Sequence, residues 1–343
     1  MLAGKDMMKA LVIDGQFGLD HLKLAERPKP EPRFGEVVIR TKAVSLNYRD
    51  TQMVEGAYPF KFPLPLVPTS DGVGEVVAVG EGVTRAKLGD RVLGTFWQSW
   101  LGGDFDQTED IRQLGGDQDG MLSEYVRLDQ HGLVHAPEHL SDEEASTLPC
   151  AALTAWQALV TEGHLQAGET VLVQGTGGVS IFALQFAVMF GAMTIVTSSS
   201  DAKLDRAKTL GATHAINYVR TPIWHPEVRR LNGGRGIDHV VEVGGPDSFL
   251  QSLKAIRMGG QIHMIGYVGS TTGDINPLEI LYRRAVVRGI PIGSRESFEH
   301  MNRAIALHGM QPVVDRVFPW TEARVALEFM REGKHFGKIV LGF

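Results

Sequence analysis

The chain contains one cysteine, Cys150, so it can form no intramolecular disulfide and build no cysteine-rich zinc knot. A reducing, cytoplasmic setting is therefore expected. Positive charge is also short: 34 Lys and Arg stand against 40 Asp and Glu, a net charge of −6. That balance offers no general attraction to nucleic acid or to an anionic membrane, so the expected partner is a small molecule. The apolar core of a secretory leader is missing, because Lys5 and Asp6 interrupt residues 1–8, which read as an extended N-terminus. Charge is absent altogether from residues 170–200, long enough on length alone for a membrane span. Gly175, Gly177, Gly178 and Gly191 divide that stretch into strand, turn, helix and strand, each too short to cross a bilayer. What remains is 343 residues, 43% hydrophobic and 22% charged, the composition of a globular chain with room for two domains.

The first 140 or so residues are β-rich, with Val/Ile-rich runs at 10–13, 36–45, 74–79 and 91–95 separated by Pro and Gly, a pattern that suggests a small barrel. At Ser141 the pattern changes: Ser141 with Glu144 makes a capping box, and a helical stretch runs toward 151–159. Strands at 170–174, 193–197, 214–217, 238–243, 261–265 and 286–290 then alternate with helices at 178–190, 201–210 and 247–257. Such alternation predicts a parallel sheet covered on both faces. The 178–190 helix is apolar almost all round and should be buried. Amphipathic helices at 296–307 and 321–331 and a short strand at 338–341 fall outside the alternation.

The run Gln174-Gly175-Thr176-Gly177-Gly178-Val179-Ser180 follows a strand and opens a helix. Glycines there permit a tight turn and close approach of a pyrophosphate to free amides at the positive end of the helix dipole. Ser180 replaces the third small residue of the usual fingerprint and still permits close packing. The alternative is a tight turn with no ligand, but the flanking strand and helix favour a dinucleotide. At the end of the next strand an NAD site places Asp or Glu on the ribose; here stand Ser198, Ser199 and Ser200, with Lys203 one helical turn on. Hydroxyls and a cation suit the 2′-phosphate of NADP(H); the competing reading is helix capping by the serines with a solvated Lys203.

Gly72-Val73-Gly74-Glu75-Val76-Val77, Gly89-Asp90-Arg91-Val92, the glycine loop and Gly337-Lys338-Ile339-Val340 together resemble the medium-chain dehydrogenase/reductase superfamily over nearly the whole chain. The resemblance implies an α/β protein: a GroES-like β-rich catalytic domain at 1–145 and 293–343, a Rossmann doubly wound parallel-sheet domain at 146–292, and a cleft between them. Zinc members hold their metal with Cys, a His-Glu pair and a further Cys. By position this chain has Asn47, then Ser70-Asp71, then Cys150, an amide, a hydroxyl, a carboxylate and one thiol. That set is too poor for zinc, and Cys150 reads as a small buried side chain. Residues 97–119, where relatives carry a four-cysteine lobe, are acidic and contain no cysteine. The resemblance thus narrows to the zinc-free, quinone oxidoreductase-like branch.

Without a Lewis acid, a simple ketone is hard to reduce, whereas hydride added to a quinone or enone delocalises its charge into an anion that hydrogen bonds can stabilise. By the resemblance, Asn47 faces the nicotinamide and the substrate oxygen, and Tyr58, in Gly56-Ala57-Tyr58-Pro59, is a proton donor; a packing aromatic before a proline turn is the alternative. Asp50 reads as a structural acceptor and Arg49 as a solvent-facing or domain-bridging charge. The resemblance also implies that Thr154, Gly266 and Tyr267 meet the nicotinamide, that Tyr218 sits beside the 2′-phosphate, and that Lys338 helps hold cofactor phosphates. Phe96 and Trp97, with Trp100 nearby, line an apolar substrate cleft or simply pack under a long loop. His131, His135, His239 and His263 read as structural. The apolar strand at 286–290 is expected at a sheet edge, where relatives pair as homodimers. Three functions stay open: a zinc-free NADPH-dependent quinone or enone reductase, an NAD(P)-dependent alcohol dehydrogenase, and a non-catalytic NADPH-binding protein.

Overall fold

A computed structural model describes residues 6–106, 112–269 and 272–343. The chain divides into two compact units, Met1–Leu153 with Gly293–Phe343, and Thr154–Ile292.

In the first unit a sheet runs in the order Val314–Pro319, Lys338–Gly342, Glu36–Ser45, Asp71–Val79, Arg91–Gly94 and Leu133–His135, with Tyr125–Asp129 also paired to Glu36–Ser45. Chain end and chain start meet there: Val340 is opposite Ser45 and Leu341 opposite Val44, antiparallel. A two-stranded ribbon, Met7–Ile13 with Leu22–Pro28, packs its apolar side into the same core, where Leu11, Ile13, Ile39, Val76, Leu128 and Ile339 are buried. The Glu36–Ser45 strand has the bounds its Val/Ile pattern indicates. Leu22–Pro28 and Tyr125–Asp129 are strands that the pattern does not reveal, because polar residues alternate through them and they rely on neighbours for pairing.

The Ser141 capping box is present, with Glu144 N donating to Ser141 Oγ and Ser141 N to Glu144 Oε2. The helical stretch after it is irregular: π-helical turns at Leu148–Ala152 and Gln157–Thr161 flank an α-helical turn at Leu153–Trp156. Pro149 carries no N–H, and the wide first turn leaves the Cys150 N–H to bond outside the helix.

The second unit is a parallel sheet in the order His214–Asn217, Met193–Ser198, Thr170–Gln174, Ile237–Glu242, Ile256–Met264 and Val286–Gly289. The order reverses direction between Thr170–Gln174 and Ile237–Glu242, the kind of switch point at which open α/β sheets bind ligands. The helix Gly178–Met189 buries Ile181, Phe182, Leu184 and Phe186, and Phe186 packs edge-on to Trp156 at 5.3 Å. Helices His225–Leu231 and Pro277–Arg283 lie in stretches whose Pro and Gly content obscures them, although Pro occupies the first turn of each, where it costs no hydrogen bond. No helix among the described residues is long and apolar enough to cross a membrane.

Within this sheet His239 and His263 stack, with Nδ1 of His239 3.2 Å from Nε2 of His263 and Nε2 of His239 3.0 Å from Glu169. Burial pushes the His263 pKa down to about 3. The unfolded chain therefore binds a proton that the folded chain refuses between pH 6.5 and 3, so this histidine removes stability as the pH falls. From pH 7.5 to 5.5 the loss is about 1.4 kcal/mol. Urea unfolding at the two pH values should show His263→Leu losing less stability than the parent; equal losses would contradict the assignment. Taking the difference cancels Asp50, which titrates in both proteins.

Candidate functional site

Each unit carries its own set of site residues. In the second unit, Thr170–Gln174 ends at Gly175, whose φ of +72° a side chain would strain, and its N–H bonds to Thr197 O at 2.8 Å. Gly177 caps the helix Gly178–Met189 without a side-chain acceptor, leaving the first-turn amides for a ligand. A Cβ on Gly177 would meet nothing within 4 Å, so the loop has an open side. Ser180 Oγ donates to Gln174 O at 2.7 Å and holds helix to strand, which is how serine serves at that position. Thr176 is buried and Val179 half-buried.

Behind the loop is a network that sequence reasoning missed. Glu242, wholly buried, accepts from Gln174 Nε2 (2.7 Å), Ser248 Oγ and Ser252 Oγ (2.5 Å each) and Gly244 N (2.9 Å). It ties the glycine loop to the turn after Ile237–Glu242, and no local sequence pattern marks it for this, because the Gln174 donor lies 68 residues away. Gly266 and Tyr267 follow the neighbouring strand, with Gly266 N directed at Glu242 O and Val268 N at Val243 O. Thr154 is buried in the helical segment that begins this unit. The donor-rich loop and uncapped helix fit a dinucleotide pyrophosphate.

Ser198 is buried at the end of Met193–Ser198 and Ser199 is exposed; Tyr218 N bonds to Ser198 O at 3.1 Å, which places Tyr218, 42% exposed, beside them. Ser200 caps the helix Asp201–Thr209, accepting from Lys203 N, so the capping role of the serines holds. Arg220, which the sequence reading did not single out, grips Asp201 with both Nη atoms at 2.5 and 2.7 Å, while Asn217 donates to the same carboxylate at 2.9 Å. These two partners hold the Asp201 pKa below its usual range.

The first unit gathers a buried polar cluster. The helix Tyr48–Glu55 begins after Asn47, and Asn47 N donates to Asp50 Oδ2 at 2.7 Å. Asp71 lies at the start of Asp71–Val79, accepting from Ser70 Oγ (2.7 Å) and from Cys150 N (3.1 Å). Lys338, only 3% exposed, donates to Leu46 O and to Asn47 Oδ1, both at 2.6 Å. Expected at cofactor phosphates, its ammonium is instead bonded inside this cluster. Burial raises Asp50 to about 6 and raises Asp71, with the Lys338 charge and the Ser70 and Asn47 side chains pulling Asp71 back. Burial lowers Lys338, and the Asp71 charge opposes that.

Arg49 is a correction: not solvent-facing, it is 9% exposed, with its guanidinium 5.3 Å from the Tyr58 ring centre and 4.8 Å from that of Phe96. Its Nη1 is 3.6 Å from Asp50, and neither Nε nor Nη1 has a hydrogen-bond partner. An arginine at the start of an amphipathic helix gives no sequence signal for burial. Tyr58, half-buried, stacks with Phe62 at 6.1 Å and lines a pocket of about 180 Å³ whose walls include Phe17, Met53 and Phe60. Phe96 is buried and meets Trp97 edge-on at 4.9 Å; Trp97 also packs on Phe105. Arg49, Tyr58 and Phe96 thus come together, Asn47 is tied to Lys338 two residues before Arg49, and residues 107–111 of the expected pocket loop lie outside the described residues.

The cluster does not fit zinc. Asn47 Oδ1 is taken by an ammonium, both Asp71 oxygens already accept hydrogen bonds, and burial together with Asp71 pushes the Cys150 thiol far from ionisation. A cationic lysine at its centre further disfavours a second cation.

Residues 33–138 match the alcohol dehydrogenase GroES-like domain family and residues 178–306 the zinc-binding dehydrogenase family. A zinc-type alcohol dehydrogenase-like protein of Schizosaccharomyces pombe is 45% identical, covering 97% of this chain and 99% of its own. The chain belongs to the medium-chain dehydrogenase/reductase superfamily. Among solved structures, an NAD-dependent alcohol dehydrogenase superposes with a TM-score of 0.91 at 36% identity, covering 98% of this chain and 100% of its own. The quinone oxidoreductase of Coxiella burnetii superposes at 0.79 with 28% identity, covering 98% and 100%. The protein is thus a GroES-like and Rossmann-type α/β oxidoreductase of a family that binds a nicotinamide cofactor.

Proposed function

We propose that this protein is a zinc-independent, NADPH-dependent oxidoreductase of the quinone oxidoreductase-like branch, reducing a quinone or an α,β-unsaturated carbonyl in the cytoplasm. The observation that carries the reading is the Lys338 ammonium bonded to Asn47 Oδ1, among residues at the positions where zinc members bind metal. A site without a Lewis acid suits acceptors whose charge delocalises after reduction. The nicotinamide, when bound, supplies the hydride. Asn47 Nδ2 donates to the substrate oxygen, and the Tyr58 hydroxyl gives a proton to the reduced product. Phe96 and Trp97 offer apolar surface to a ring or alkyl chain. The loop Gly175, Thr176, Gly177, Gly178 and Val179 holds the pyrophosphate; Thr154, Gly266 and Tyr267 orient the nicotinamide; Ser198, Ser199, Lys203 and Tyr218 take the 2′-phosphate.

The NAD-dependent alcohol dehydrogenase relative supports a competing reading, oxidation of an alcohol with NAD. Turnover against quinones, enals, enoyl thioesters and alcohols, before and after chelator treatment, separates the two. We expect NADPH consumption with quinones or enones, unaffected by chelators, in protein with well under one zinc per chain. Chelator-sensitive alcohol oxidation by zinc-loaded protein would overturn the proposal.

A homodimer joined through the edge strand Val286–Gly289 is part of the same reading. Val286, Leu281, Tyr282 and Met258 are 41%, 65%, 65% and 58% exposed on that unit, more apolar surface than a lone sheet edge tolerates. Sedimentation giving a monomer at every concentration would remove this part.

A further inference from the structure

We propose that Lys338 is a positioning residue: its buried ammonium fixes the Asn47 side-chain amide so that Nδ2 presents its N–H groups to the substrate oxygen. This rests on the reading of Asn47 as the substrate-facing donor and adds what aims it. An ammonium has three donors and no acceptor, so the amide atom 2.6 Å from Lys338 Nζ must be oxygen. The amide is planar, so Nδ2 is turned away from Lys338. The lysine cannot easily leave, being 3% exposed with a second bond of 2.6 Å to Leu46 O.

Nδ2 is buried and makes no well-formed hydrogen bond, although the Asn47 side chain lies close enough to Asp71 to help hold that carboxyl's pKa down. Asp71 receives Ser70 Oγ on one oxygen and Cys150 N on the other and has lone pairs to spare, so a substrate oxygen competes with Asp71 for these N–H groups. An unsatisfied buried amide costs free energy that an incoming carbonyl oxygen would recover. Without Lys338 only the Asp50 N–H of the capping box still favours Oδ1 on that side, so the amide flips more readily, and Oδ1 facing a developing oxyanion would repel it. The cation also polarises the amide, drawing density toward Oδ1 and strengthening the N–H donors, so one charge both orients and activates. A metal ligand could not be held this way, which joins the misfit of zinc and the orientation of Asn47 in one cause.

The test uses Lys338→Met, Asn47→Ala, the double variant and Lys338→Gln, which keeps an N–H donor without the charge. The first readout is the side-chain amide signal of Asn47 in asparagine-15N-labelled protein, assigned by its loss in Asn47→Ala. We expect Lys338→Met to shift that signal and Lys338→Gln to shift it less. In turnover, Lys338→Met should lower the enone kcat by about tenfold or more while the Kd for NADPH stays within about threefold, and the double variant should be no slower than Asn47→Ala. Lys338→Gln should recover part of the loss, and it carries the test if Lys338→Met does not fold. An unmoved amide signal, losses that multiply in the double variant, or a tenfold rise in the NADPH Kd with kcat unchanged would overturn the proposal. If the parent reduces neither quinones nor enones, the proposed function fails, and the amide signal still decides whether Lys338 aims Asn47.

Discussion

NADPH is expected to bind this protein at least about tenfold more tightly than NADH, because the strand end that would repel a 2′-phosphate with a carboxylate carries Ser198 and Ser199 instead. Lys203 lies in the first turn of the helix that follows, and removing its charge should weaken NADPH by about 1.5 to 3 kcal/mol, on the order of 10- to 150-fold, with little change for NADH. Asp201, the acid at the start of that helix, is held by both Nη atoms of Arg220 and by Asn217, so its charge is already compensated. Ser200 and the backbone N–H of Lys203 cap the helix, and the preference is assigned to the side chains of Ser198, Ser199 and Lys203. Dissociation constants for both nucleotides, measured on parent and Lys203→Ala, decide the matter: equal affinities, or tighter NADH, would sink the NADPH assignment.

Replacing Tyr58 by Phe should lower enone reduction by roughly 10²-fold, the low end of general acid catalysis. The ring survives in Tyr58→Phe, and with it the stacking on Phe62 and the Arg49 guanidinium over its face, so folding and NADPH affinity should hold. Quinone reduction should fall much less, because a hydroquinone anion can collect its proton from water after the hydride has been transferred. The difference between substrates carries the test, since lost packing would slow both. Enone reduction at the parental rate would make Tyr58 a packing residue and leave the site to orientation and to Asn47.

The amino-acid sequence alone determined the layers of this protein. Thr170–Gln174 has the bounds its apolar run indicates, because a strand covered on both faces must be almost continuously apolar and must stop where glycine intervenes. The glycine loop was legible for the same reason, since a positive φ at Gly175 and an uncapped helix start are local demands that local residues meet. The superfamily was legible from short motifs of that kind. The tertiary structure alone decided the partnerships. Nothing near Lys338 in sequence marks it as a partner of Asn47; only the antiparallel pairing of Lys338–Gly342 with Glu36–Ser45 carries an ammonium across 291 residues to an amide oxygen. Arg49 is buried because Tyr58 and Phe96, supplied by a loop and a strand end, close over it, and Glu242 is satisfied by donors drawn from three segments. Buried polar groups must find partners wherever the fold brings them, so their pairing is a property of the folded chain and leaves no periodicity in the sequence.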